Sequence, residues 1–186
     1  MIRIALFLMA ICTLASASAA TPTQTALANL SNVSFPAPHR VASGAVHADD
    51  VAELKKAGVQ EVIDLRADEE TPHFDEAQAM RNAGIGFHQL PIRGMHDMSR
   101  DNVIKFDQLL ADAGDKLTLV HCASSNRVGA MIALRAAIIQ GKPVDDALAE
   151  GRHWGLRSLQ PAVVQRINAL KQEHPIRSDT QTRPSP

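Results

Sequence analysis

A cysteine and an arginine five positions apart, Cys122 and Arg127, enclose the small residues Ala123-Ser124-Ser125-Asn126. A thiolate is a strong nucleophile, and a guanidinium can pair in a planar, bidentate fashion with two oxygens of a phosphate or sulfate. Small residues between them allow backbone N–H groups to converge on one centre. A helix starting at the end of the segment would add positive potential, favouring both a bound anion and the ionised sulfur. The pattern therefore points to nucleophilic attack within an anion-binding loop that Arg127 closes. The bland alternative for Cys122 is a small, buried core cysteine. Its neighbours favour the chemical reading.

The elements that must position this loop are legible on both sides of it. Leu117-Thr118-Leu119-Val120-His121 is a run of β-forming, mostly apolar residues in the style of a central parallel strand. From Asn126 to Gln140 the chain is apolar on nearly all sides, as suits a helix in the middle of a domain. Upstream, Val41 to Gly44 and Val59 to Arg66 read as strands, with a helix between them carrying Val51, Leu54 and Ala57 on one side. An acidic loop, a helix from about Phe74 to Ala83 and a strand from Ile85 to Ile92 follow. A loop with Gly94, Met95, His96, Asp97 and Met98 leads to a helix that Ser99 can cap, with Val103, Phe106, Leu109 and Leu110 facing inward. Two more helices are expected, at about Pro143 to Arg152 and Leu159 to Glu173. Alternation of this kind predicts a single α/β domain, a central mostly parallel sheet of four to five strands flanked by helices.

Residues 1–20 have the layout of a secretory leader: Arg3, an apolar run from Ile4 to Leu14, then Ala15-Ser16-Ala17-Ser18-Ala19-Ala20. The apolar run is well short of the roughly 20 residues that span a bilayer. The expectation is cleavage after Ala19 or Ala20 and an extracytoplasmic, periplasmic protein without stable membrane insertion. Removal of Cys12 with the leader leaves Cys122 as the only thiol, unable to form an internal disulfide. Residues 21–38 read as a flexible lead-in, 39–174 as the domain and 175–186 as a disordered tail. The formal net charge of −1 becomes −2 once Arg3 is lost, and there is no Tyr, one Trp and only five Phe. Neither the charge nor the aromatic content suits a nucleic-acid binder. Eight His are present, but no His-Glu-x-x-His or Cys-x-x-Cys pattern and no Gly-rich nucleotide loop, so neither a metal nor a cofactor is expected.

The segment from His121 to Arg127 resembles the Cys-x5-Arg signature of protein tyrosine and dual-specificity phosphatases, shortened by one residue to Cys-x4-Arg. In that length it is similar to the bacterial beta-lactamase-hydrolase-like phosphatase family, where a strand ending in His-Cys precedes a short, Arg-closed loop. The resemblance runs from about Ser43 to Ile167, through the 57–66 segment, Phe74-Asp75-Glu76-Ala77, Leu90-Pro91-Ile92 and Gly155-Leu156-Arg157-Ser158-Leu159. It implies a metal-free, two-step hydrolysis of phosphomonoesters, either phosphotyrosine or a small phosphorylated compound. Cys122 would attack phosphorus, and Arg127 would hold the oxygens with the loop of His121, Ala123, Ser124, Ser125 and Asn126. A cysteinyl-phosphate would then be hydrolysed.

The general acid of the superfamily lies on the loop after the strand ending near Pro91-Ile92, which offers Asp97; Asp101 more simply favours a helix N-terminus. His121 is expected to order the loop by hydrogen bonds. Arg66 either faces the substrate or pairs with the Asp68-Glu69-Glu70 run. Two positions depart from the pattern, with Ser125 where many members have Gly and Val128 where they have Ser or Thr. The hydroxyl that steadies the departing thiolate is thus missing from its usual place, and Ser124 or Ser125 would have to substitute. Two other functions stay open. Rhodanese-like sulfurtransferases also use a six-residue loop beginning with cysteine, and the departures would suit an inactive anion or phosphopeptide binder.

Overall fold

Five four-residue strands make the central sheet of the computed structural model, which describes residues 21–173. They are β1 (Ser34–Ala37), β2 (Arg40–Ser43), β3 (Glu61–Asp64), β4 (Gly86–Gln89) and β5 (Thr118–His121), in the order β1-β2-β5-β3-β4. Only β1 runs antiparallel to its neighbour. The parallel strands are in register, so Ser43, His121, Asp64 and Gln89 form one row at their carboxyl ends. Loops that carry chemistry in α/β sheets leave from that edge.

Strand alternation sends neighbouring apolar residues to opposite faces. Val41, Val62 and Leu119 pack with Leu54 of α2 (Asp50–Lys56) and Met80 of α3 (Glu76–Ala83). Ala42, Ile63 and Val120 pack on the other face with α4 (Arg100–Ala113), α5 (Asn126–Ile138), α6 (Val144–His153) and α7 (Gln160–Glu173). The α/β architecture expected from the sequence is the one observed. Helix starts follow the caps: Asp75 accepts from Gln78 N–H at 2.9 Å and Ser99 from Asn102 N–H at 3.3 Å. Helix α5 is apolar all round because it runs through the middle of its layer, with nine of its residues buried.

The lead-in needs correction. Residues 21–38 contain helix α1 (Pro22–Ala26), with a Thr21 capping box, and strand β1. Leu27, fully buried, and Leu30 join the α2–α3 core. Such short elements leave no room for sustained periodicity, and burial of a few residues holds them in place. The leader (1–20) and the tail (175–186) lie outside the described residues. Among the described residues, no helix is long and apolar enough to cross a membrane.

Candidate active site

The cysteine loop begins at the carboxyl end of β5, between β2 and β3. Cys122 is completely buried, whereas the next two residues, Ala123 and Ser124, are exposed. The loop is tied to the β2–α2 connection: Cys122 N–H donates to the Ser43 carbonyl, Ala45 N–H donates to the Ala123 carbonyl, and Ser124 pairs with Gly44 in an isolated bridge. Ser125 then takes a left-handed backbone, φ 65°, and α5 starts at Asn126 without any side-chain cap from Ser125. An uncapped first turn leaves donors of the helix N-terminus for an anion. Left-handed geometry is where glycine is at ease, which gives a physical reason for the family's Gly at this position.

The Ser125 hydroxyl donates to the Trp154 carbonyl at 3.0 Å, at the end of α6. Its proton is therefore committed to that carbonyl and not to the sulfur, while Val128 is sealed in the core. Gly155 is required beside it, since a Cβ there would collide with the Ser125 side chain. Asn126, expected to touch substrate, spends its side chain on the 157–158 turn: its Oδ1 accepts from Arg157 N–H at 2.9 Å and its amide donates to Ser158 Oγ at 2.6 Å. Its main chain remains part of the loop.

Arg127 lies where the loop closes. Its Nη1 donates to the Ile92 carbonyl at 2.8 Å and the Leu65 carbonyl at 3.3 Å, and its two terminal nitrogens reach the two oxygens of Glu70 at 2.8 and 2.5 Å. The Glu70 bond raises the arginine's pKa. Reciprocally, the Arg127 bond holds the Glu70 carboxyl below the usual range. The guanidinium is thus gripped by Glu70 and two carbonyls. Sequence reasoning missed Glu70 in this role, because its partner is 57 residues away.

Asp97 sits on the loop after β4 that also carries Ile92, the carbonyl partner of Arg127. Its Oδ2 accepts from Arg93 N–H at 2.9 Å and its carbonyl from the Asn102 amide at 2.7 Å. In this conformation the carboxylate fastens its own loop. A shallow depression of 310 Å³ opens beside the cysteine loop, walled by Val46, His47, Pro72, Phe74 and Ala123 with Glu70 at one side. The larger cleft of 810 Å³ lies instead at the amino ends of the strands, and its cations are already used. Arg135 pairs with Asp107, Lys142 pairs with Glu150, and Arg40 donates to the Gly114 and Lys116 carbonyls.

Arg66 is not paired with the 68–70 run; it borders the depression beside the cysteine loop but is almost fully buried. It is buried behind the loop, where it bonds Asp64 at 3.2 Å through Nε and Glu76 through Nη2. Glu69 of the acidic run pairs with Arg93 and Glu70 with Arg127. His121 completes the buried group, as Glu76 Oε1 lies 2.9 Å from Nε2 and Asp64 Oδ1 lies 3.6 Å from Nδ1. Although Asp64, Glu76 and His121 bring ligand-type atoms within 4.8 Å of one another, the guanidinium already occupies the place of a cation there.

Fold and loop together define a class: an α/β sheet with a cysteine loop and a closing arginine at the carboxyl edge is a protein tyrosine phosphatase-like hydrolase domain. The chain belongs to the family described as DSP-PTPase phosphatase fused to NAD+ Kinase, which matches residues 22–168. Among solved structures it is similar to a DUF442 protein of Shewanella putrefaciens CN-32, with a TM-score of 0.63, 23% identity and coverage of 78% of this chain and 97% of that one. It is similar to Tk-PTP in the active form, with a TM-score of 0.57 at 15% identity, over 77% and 98% of the two chains. A third likeness is a variant of P. aeruginosa TpbA in complex with pTyr, with a TM-score of 0.51 at 21% identity, over 75% and 90%. At such identities these likenesses speak for the fold. No curated protein matches the sequence.

Proposed function

We propose that this phosphatase domain hydrolyses phosphomonoesters through Cys122. The thiolate attacks phosphorus, and the bond from phosphorus to the ester oxygen breaks. Asp97 gives its proton to the leaving oxygen, which requires its carboxylate to exchange the Arg93 N–H for the substrate. Water then attacks the cysteinyl-phosphate and gives a proton to Asp97, and the phosphorus–sulfur bond breaks, returning the Cys122 thiolate and releasing orthophosphate. Arg127 and the uncapped first turn of α5 hold the charged oxygens throughout. The observation that carries this reading is the grip on Arg127: Glu70 and the carbonyls of Leu65 and Ile92 hold its guanidinium where the cysteine loop closes.

Phosphotyrosine and small phosphorylated compounds are both candidate substrates. The apolar and aromatic wall at Val46, Pro72 and Phe74 supports an aryl ester. The leader supports action in the periplasm, checked by recovering protein from that fraction with its N-terminus at Ala20 or Thr21. Hydrolysis of an aryl phosphate is the test of the reaction. Cys122→Ser is expected to lower turnover by about 10³-fold or more, and Asp97→Asn to flatten the basic limb of the pH profile. Turnover unchanged in Cys122→Ser overturns the mechanism.

One observation favours a second reading, a binding module. With Val128 in place of a hydroxyl residue and the Ser125 hydroxyl bonded to Trp154, nothing at those two positions steadies a departing thiolate. A melting temperature raised by vanadate, without aryl-phosphate turnover or sulfur transfer from thiosulfate to cyanide, would select it.

A further inference from the structure

The lead-in before β1 has no part in the reaction above, yet it touches the active site at one remove. Residues 43–45, the connection from β2 toward α2, lie between it and the cysteine loop. On the loop side, Cys122 N–H donates to the Ser43 carbonyl at 3.4 Å, Ala45 N–H donates to the Ala123 carbonyl at 3.2 Å, and Gly44 bridges Ser124. On the other side, Gly44 N–H donates to the Ser31 carbonyl at 2.6 Å, and the Ser31 hydroxyl reaches the Ala45 carbonyl at 3.5 Å. Ser31 is exposed and Gly44 is buried, so the lead-in forms the outer cover of this connection.

Two features leave this stack little freedom. Just before Ser31, Leu27 and Leu30 are sunk in the core that also holds Val46 and Leu54. Just after it, the chain turns at Asn32, φ 50°, and enters β1, which pairs with β2. Gly44, for its part, has no room for a side chain. A Cβ there would overlap the Ser31 hydroxyl oxygen and stand 3.1 Å from the carbonyl oxygens of both Ser31 and Ala123. Its φ is not positive, so close approach of the three segments, and not backbone conformation, is what excludes a Cβ.

Peptide geometry carries this contact into the loop. A trans peptide points its carbonyl and the next N–H in opposite directions, and none of the described peptide bonds is cis. With the Ala123 carbonyl held by Ala45, Ser124 N–H is turned away from the connection, and it meets no acceptor among the described residues. We propose that Ser31 is a positioning residue for oxyanion binding: through Gly44 and Ala45 it fixes the plane of the Ala123–Ser124 peptide and keeps that N–H aimed at the bound oxyanion. This deepens the phosphatase reading and rests on residues 122–127 being its anion loop.

Orthophosphate binding, followed by calorimetry well below the melting temperature, tests this without turnover. Gly44→Ala drives a methyl group between Ser31 and Ala123 and should weaken orthophosphate by about tenfold. Ser31→Gly alone keeps the main-chain carbonyl and loses only a long hydroxyl bond, so it should bind within about threefold of the wild type. Added to Gly44→Ala, it removes the hydroxyl that the methyl strikes and should recover most of the lost affinity. A variant that was merely less stable would bind normally at that temperature. Normal binding by Gly44→Ala, or a loss that Ser31→Gly does not relieve, overturns the proposal.

A second measurement needs no variant. Coupling between sites is reciprocal, so a Ser31 contact that supports the anion must itself be supported by the anion. Saturating orthophosphate should therefore slow hydrogen exchange at the Gly44 amide of the wild type, by about tenfold more than at amides in the middle of α4 on the other face of the sheet. Slowing no greater than in α4 overturns the proposal even if Gly44→Ala fails to fold. Wild type that binds neither orthophosphate nor vanadate would defeat the anion loop itself, and the proposal with it. Binding by the wild type with an indifferent Gly44 amide defeats the proposal alone.

Discussion

Arg127 and Arg66 bind carboxylates on either side of the same strand ends, yet the two assemblies differ in their access to water. The Arg127 and Glu70 side chains are 13% and 30% exposed, whereas Arg66, Asp64 and Glu76 are at most 4% exposed. At the lip, solvent screens the charges, and Arg127 can exchange Glu70 for an incoming oxyanion at modest cost. Behind the loop no water is available to replace a lost partner. One arginine is therefore free to do chemistry, while the other fixes the strand ends and α3 relative to one another. The difference lies in surroundings, not in residue type.

Arg66→Met should separate the two assemblies most sharply. It leaves two carboxylates buried without their cation and should cost about 3–5 kcal/mol of stability, read from the denaturant midpoint. Glu70→Gln should cost less than about 1 kcal/mol, because its charges are partly screened. Its effect should fall on the reaction instead: a loosened guanidinium is expected to lower kcat/KM for an aryl phosphate by about tenfold. If both variants lose stability equally, the distinction between lip and interior fails.

Acid titration sharpens the same contrast. The Arg127 bond lowers the Glu70 pKa in the folded protein, so its contribution is present above the ordinary carboxylate range and disappears as pH falls through the lowered value. Wild-type stability should therefore decline more steeply on acidification than that of Glu70→Gln. The smallest effect is expected at a well-exposed pair, Arg93 with Glu69. Arg93→Ala should leave the melting temperature unchanged within measurement, since both side chains are more than half exposed.

The elements framing the loop were readable because they are local. Ser99 caps α4 as its position before Val103 and Phe106 implied, and the apolar run ending at His121 is the central strand. The partners of the charged groups were not readable, because nothing near Arg127 in sequence names Glu70, and nothing near His121 names Glu76. For Arg66 the sequence left two readings, facing the substrate or pairing with the acidic residues beside it, yet strand periodicity held a better clue. Asp64 and Arg66 are two apart, hence on one face, and that face turns toward α3. Helix α1 and β1 escaped notice for another reason: each spans a single turn or four residues, too few for a period to show.

Gly129 sets a limit on what the helices around the loop can accept. Any side-chain carbon at that position would strike the backbone of Leu156 and the Gly151 carbonyl, and one at Gly151 would strike Gly129 in return. With main chain resting on main chain, α5 and α6 have no side-chain cushion to compress. A methyl group at this contact would be transmitted through the end of α6 to the Trp154 carbonyl and on to Ser125. The spacing of two helices thereby acts as a gauge for the curvature of the loop that holds the sulfur.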